Sequence, residues 1–258
     1  MDIDDERVSN AVFYPRKTII PKNLPEYLKI LKFQIHNEVT IGGVLYLNEK
    51  SLPTILMFHG NGEVALDYRA AYSTYFEHGL NLAVMDFRGY GFSSHDPTYT
   101  SLIEDALPIY TNFCDYMEEI DMTGSLFVKG RSLGSVCASE IGSHNPNNVK
   151  GIIFESGFAS AYNMMTKLFG IRDPSLSPES IQHYSNDTRV SQFIKPTLII
   201  HGTNDWIIPS SEANLLYDAL PENTYKKLVL IKGASHNDIF LYTSQYFDAI
   251  DEFVTRFK

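Results

Sequence analysis

Short, unbroken apolar runs recur along the chain, and each ends in a cluster of glycine, histidine, aspartate or serine. They lie at residues 54–58, 82–85, 126–128, 151–154, 197–200 and 227–231. Runs this short and continuous suit strands covered on both faces, as in a parallel sheet flanked by helices. Between them the period changes to that of an amphipathic helix, at 66–78, 101–119, 132–144, 210–220 and 242–257. Ahead of this alternation, residues 28–36 and 40–47 read as a strand hairpin turning at Asn37 and Glu38. Strands alternating with helices predict a doubly wound α/β fold.

One connection breaks the rhythm. About forty residues, 156–195, separate two predicted strands and include an amphipathic stretch at 159–169 and the proline-punctuated Asp173-Pro174-Ser175-Leu176-Ser177-Pro178. Connections of that length in compact domains are usually lids or carry their own helices, so this segment is expected to form a small cap. No repeat, low-complexity tract or polar linker divides the rest, which predicts a single domain over residues 1–258.

Composition narrows the setting. Hydrophobic residues make up 44% of the 258 and aromatics 13%, enough for a sizeable core. The formal charge of -10 repels phosphate backbones, and no basic cluster beyond Tyr225-Lys226-Lys227 offsets it, so nucleic acid is not an expected partner. Two cysteines, Cys114 and Cys137, are too few for a disulfide framework and read as free buried thiols in a reducing, cytoplasmic setting. The start, MDIDDERVSN, is acidic and polar, unlike a signal peptide, and no apolar run is long enough for a stable membrane anchor. Oligomeric state leaves no trace in the pattern.

Candidate chemistry then depends on what stands at the strand ends, because open parallel sheets bind ligands there. After 126–128 comes Gly130-Arg131-Ser132-Leu133-Gly134, running directly into a predicted helix. Glycines on both sides allow a sharp strand-to-helix turn that exposes the Ser132 hydroxyl. A serine needs a base, and the base needs an orienting acid. The 197–200 strand leads to Asp205 and the 227–231 strand to His236, so the chain order is Ser132, Asp205, His236.

Glu155, straight after the 151–154 strand, is the competing acid. His201 and His59 read as structural, Ser93 as a poor second nucleophile, and Asp238 as pointing away from the site. Asp86 and Arg88 are expected to pair and hold the glycine-rich loop that follows them.

A tetrahedral intermediate needs two amide donors, assigned to Leu133 and to Asn61 within His59-Gly60-Asn61-Gly62. Apolar residues available for a substrate pocket are Phe158, Tyr162, Met165, Phe169 and Trp206. Zinc frameworks and nucleotide-binding glycine motifs are absent, so no cofactor or metal is implied.

Together, HGNG at 59–62, DFRGYGFS at 86–93, GRSLG at 130–134, HGTND at 201–205 and SHND at 235–238 resemble the α/β-hydrolase superfamily over residues 33–253. The chain looks most like its small serine hydrolases with a GRSLG-type elbow and a minimal cap, the branch of the bud-emergence-type proteins and α/β-hydrolase-domain depalmitoylases. That resemblance implies a mostly parallel sheet of about eight strands and hydrolysis of a small-molecule ester or thioester at its carboxyl edge. It departs from some members in lacking a membrane-spanning or cysteine-rich start, and from the peptidase relatives in leaving no room for a propeller or large cap. Acyl transfer on the same residues, or a non-catalytic binding protein that keeps the fold, are the alternatives. The second would normally lack a member of Ser132, Asp205 and His236.

Overall fold

The computed structural model describes residues 2–36 and 38–258; Asn37, half of the expected hairpin turn, lies outside them. The sheet strands are β1 (Leu28–Gln34), β2 (Thr40–Tyr46), β3 (Thr54–Phe58), β4 (Asn81–Met85), β5 (Leu126–Arg131), β6 (Val149–Glu155), β7 (Thr197–Gly202) and β8 (Lys226–Ile231). They form one eight-stranded sheet in the order β1-β2-β4-β3-β5-β6-β7-β8. β1 with β2 and β2 with β4 run antiparallel, and the remaining pairs are parallel. Lysines at both edges, Lys29 and Lys32 in β1 and Lys226 and Lys227 in β8, discourage further strand pairing.

The helices are α1 (Glu6–Val12), α2 (Tyr72–Glu77), α3 (Tyr99–Glu119), α4 (Ser135–Ser143), α5 (Ala161–Asn163), α6 (Asn186–Val190), α7 (Ser210–Ala219) and α8 (Thr243–Phe257). Because successive strand side chains point to opposite faces, each central strand feeds two cores. Leu56 and Phe58 of β3 join the core under α3 and α4, with Phe113 and Val136. Ile55 and Met57 join the core under α2 and α8, with Tyr75 and Ile250.

The crossover after β3 carries α2 on one face, and the crossover after β5 carries α4 on the other. Loops leaving the neighbouring strands β3 and β5 therefore diverge and open a crevice at their carboxyl ends.

Three elements differ most from the sequence reading. The helix expected at 66–78 splits into a 3-10 turn, Ala65–Ala70, and α2, with the break at Ala71. That break sends the Tyr68 hydroxyl to Glu63 while Tyr72 stacks on Tyr27 and Tyr46. α1 was not legible, since Val8 and Val12 are its two buried side chains and seven residues hold too little period. Finally, β5 runs three residues past Val128 because Lys129 and Arg131 lie inside the sheet.

The long connection between β6 and β7 holds α5, a π-helical turn at Met164–Leu168, a 3-10 turn at Glu179–Tyr184 and α6. Glu212 of α7 fastens its start by accepting the N–H groups of Ala159 and Ser160 at 2.9 and 3.1 Å. Among the described residues no helix is long and apolar enough to cross a membrane.

Candidate active site

Ser132 sits where β5 turns into α4, with φ at +50°. A non-glycine residue held in this left-handed region costs about 1–3 kcal/mol, which the surrounding packing must impose. The glycines beside it are required by space. A Cβ on Gly134 would stand 2.1 Å from the Phe58 carbonyl oxygen, and one on Gly130 2.5 Å from that of Gly134. The elbow is thus pressed against the end of β3.

His236 comes from the loop after β8 and Asp205 from the loop after β7. His236 Nε2 lies 3.0 Å from Ser132 Oγ, and Nδ1 lies 2.7 Å from Asp205 Oδ2. Asp205 Oδ1 accepts the N–H groups of Ile207 and Ile208 at 2.9 and 2.8 Å. Burial by itself would raise the Asp205 carboxyl. Hydrogen bonds from His201 and His236, the charge of His236 and the Ile208 N–H more than offset it and hold the group well below the usual carboxylate range. An ionised Asp205 only accepts, so the proton on Nδ1 is fixed and Nε2 is left to accept the Ser132 hydroxyl.

His201, read as structural, has its Nε2 2.8 Å from the Ile208 carbonyl and 3.3 Å from Asp205 Oδ2, so it braces the acid. Asp238 accepts the Ser235 N–H at 2.6 Å and does point elsewhere.

Leu133 and Asn61 both line the cleft beside Ser132. Leu133 is the second residue of a helical turn and so has no intrahelical acceptor for its N–H. Among the described residues no acceptor takes the Asn61 N–H, while its side chain is pinned: Nδ2 donates to the Val12 carbonyl at 2.5 Å, and Oδ1 accepts from the Tyr14 N–H and the Tyr90 hydroxyl at 3.1 and 2.7 Å. The segment around α1 thereby holds the loop after β3, a contact that sequence reasoning missed because its partners stand 47 and 49 residues apart.

The cleft has a volume of about 390 Å³, and Phe158 and Phe169 line it. Tyr162 and Met165 do not: Tyr162 faces a separate hollow near Ile171, and Met165 is packed in the core at 1% exposure. Ordinary helical phase groups residues 158, 162, 165 and 169, but the i→i+5 turn at Met164–Leu168 shifts it and presents Met164 and Leu168 instead. Trp206, 92% exposed, lines a neighbouring groove of about 380 Å³ that shares Phe158, Met164, Leu168, Ile207 and Ile208 with the cleft.

One further expectation is corrected by charge pairing. Asp86 does not pair with Arg88. It is fully buried, accepts the Ala65 N–H at 2.8 Å and the Phe92 N–H at 3.4 Å, and so holds both the chain after the Asn61 loop and the glycine-rich loop, whereas Arg88 forks onto Asp105 at 2.6 and 2.7 Å. Glu155, the competing acid, faces away from His236 Nδ1 and into a buried network. Lys129 Nζ lies 2.5 Å from its Oε2, the Tyr246 hydroxyl donates to the same oxygen at 2.5 Å, and Arg131 Nη1 donates to its Oε1 at 3.0 Å. The one available signal was two cations, Lys129 and Arg131, inside an otherwise apolar strand.

That network implies an acid dependence of stability. Burial would raise the Glu155 carboxyl, but Lys129 and Arg131 nearby and hydrogen bonds from Lys129 and Tyr246 hold it at about 2 against an ordinary 4.5. A group depressed in the folded state adds stability that is complete above its unfolded value and drains away as pH falls toward the folded one. Thermal unfolding midpoints should therefore fall as pH drops below 4.5 toward about 2. Glu155→Gln should be less stable at neutral pH and show a shallower fall, and equal slopes would detach the effect from Glu155.

A strained serine at a strand-to-helix turn, at the switch point of a mostly parallel eight-stranded sheet, defines an α/β-hydrolase of the serine-hydrolase type. The chain belongs to the serine aminopeptidase S33 family, whose profile matches residues 49–177, Ser132 included.

It is 26% identical over 241 residues to protein bem46 of Schizosaccharomyces pombe, a match covering 91% of this chain and 79% of that protein. It is also 26% identical over 212 residues to alpha/beta hydrolase domain-containing protein 17B of Homo sapiens, covering 79% of this chain and 66% of that protein. Among solved structures, esterase Pf2001 of Pyrococcus furiosus superposes with a TM-score of 0.74 at 18% identity, covering 94% of this chain and 98% of that one. Est1E from Butyrivibrio proteoclasticus gives 0.68 at 18% identity, covering 88% and 99%. These likenesses are of fold.

Proposed function

We propose that the protein is a serine hydrolase of carboxylic esters, thioesters included, working through an acyl-enzyme on a small molecule in the cytoplasm. The observation that carries this reading is His236 bridging Ser132 Oγ at 3.0 Å and Asp205 Oδ2 at 2.7 Å. Ser132 Oγ attacks the ester carbonyl as His236 Nε2 takes its proton, and Asp205 stabilises the resulting imidazolium. The N–H groups of Asn61 and Leu133 receive the oxyanion. His236 then passes the proton to the departing alkoxide or thiolate. Water, deprotonated in turn by His236, releases the acid and restores the serine hydroxyl.

Residues 156–195 act as the small cap of a single domain, with Phe158, Met164 and Phe169 around the acyl group and Trp206 beside longer substrates. A panel of nitrophenyl esters from acetate to palmitate, with a thioester and an aminoacyl anilide beside them, tests the reading. Burial of each methylene in an apolar cleft contributes about 0.8 kcal/mol, so kcat/KM should climb up to about fourfold per carbon until the cleft is full. Because the family is described by an aminopeptidase, the anilide is the decisive comparison. Faster cleavage of the anilide than of every ester would overturn the proposal.

A further inference from the structure

Arg131 occupies the variable place just before the serine of GxSxG, and its side chain is 10% exposed. Its guanidinium is spent on four acceptors. Nε donates to Glu63 Oε1 at 2.7 Å, Nη1 to Glu155 Oε1 at 3.0 Å and to the His236 carbonyl at 3.1 Å, and Nη2 to Asn237 Oδ1 at 3.3 Å. The second oxygen of Glu63 accepts the Gly60 N–H at 3.0 Å and the Tyr68 hydroxyl at 2.7 Å.

Arg131 therefore ties three loops together. Its own backbone is the elbow, His236 and Asn237 belong to the loop after β8, and Glu63 holds the loop after β3 that presents Asn61. Two residues earlier, Lys129 belongs to the same buried cluster, but the polar partners of its ammonium are Glu155, Tyr75 and Tyr246, which lie in the sheet and the helices behind it.

We propose that Arg131 is a positioning residue for the hydrolysis, placing His236 and the Asn61 amide over Ser132. The inference rests on the triad reading above. Asp205 fixes the His236 ring at Nδ1 but not the backbone that carries it; that backbone takes its place from Arg131 at the carbonyl. A fork of donors is needed, because the His236 carbonyl, Asn237, Glu155 and Glu63 surround the guanidinium on different edges. A lysine keeps the charge and supplies a single ammonium that cannot span them.

Arg131→Lys is the test. A displacement of about 1 Å at a reacting group costs on the order of 100-fold, so kcat on nitrophenyl butyrate should fall by roughly 30- to 100-fold with KM changed less than about threefold. Fluorophosphonate should still label Ser132 to completion, more slowly by a similar factor. The far-downfield proton resonance of the His236–Asp205 hydrogen bond should shift or broaden.

Tyr246→Phe is the comparison, since it removes a hydroxyl from the same network without touching a loop. It should lower the unfolding midpoint yet leave kcat and the resonance as in the parent. Lys129→Arg serves in its place if that variant does not fold. Parent-like kcat and resonance in Arg131→Lys would overturn the inference, as would losses of activity in both variants in proportion to their losses of stability. Labelling that persists in Ser132→Ala would instead remove the triad reading on which it rests.

Discussion

Ser132→Ala is expected to take up no fluorophosphonate and to hydrolyse esters about 10⁵- to 10⁶-fold more slowly than the parent, because in the proposed mechanism nucleophile and base act as a unit. The change deletes one oxygen. Alanine keeps the Cβ and its left-handed backbone at φ +50°, so the elbow and its packing against Phe58 persist. His236 loses its partner at 3.0 Å but keeps Asp205 at 2.7 Å. The unfolding midpoint should stay close to that of the parent, which separates lost chemistry from lost fold. Stoichiometric labelling of the alanine variant would place the nucleophile elsewhere.

Asp205→Asn is the second large effect, with turnover lower by about 10⁴-fold. The carboxylate now accepts from the Ile207 and Ile208 N–H groups and from His236. An amide can instead present its NH₂ to Nδ1, which moves the imidazole proton to Nε2 and turns the face toward Ser132 from acceptor to donor.

Glu155→Gln gives the contrast. It leaves Lys129 and Arg131 without their shared counter-charge, and breaking a buried pair in this way costs about 3–5 kcal/mol. Its turnover below the unfolding midpoint should fall far less than that of Asp205→Asn. Comparing kcat and denaturation midpoints for the two variants decides the matter, and the reverse order of effects on kcat would move the acid to the end of β6.

Much of the frame was legible because its causes are local. An apolar run bounded by polar residues made β3 readable to the residue, and α7 was misjudged by one position at its end. Glycines at 130 and 134 announced a tight turn because nothing larger fits there. Other features were hidden because their causes are not local. Arg88 finds Asp105 seventeen residues away and not Asp86 at two, since Asp86 turns inward to Ala65 and Arg88 outward to α3. The face of the segment after Phe158 could not be phased, because periodicity does not reveal where a helix loosens to i→i+5 bonding.

Sequence by itself determined the alternation of strands and helices, the serine between glycines at a strand end, and an acid and a histidine after later strands. Each of these follows from side-chain size, polarity and turn chemistry within a few residues. Only the tertiary structure decided which charges meet. Glu63 and Glu155 reach Arg131 across 68 and 24 residues, and Val12 and Tyr14 reach Asn61 across 49 and 47. Burying a charge or an amide is tolerable only beside its partner, and that partner is chosen by how the sheet and its loops close in space.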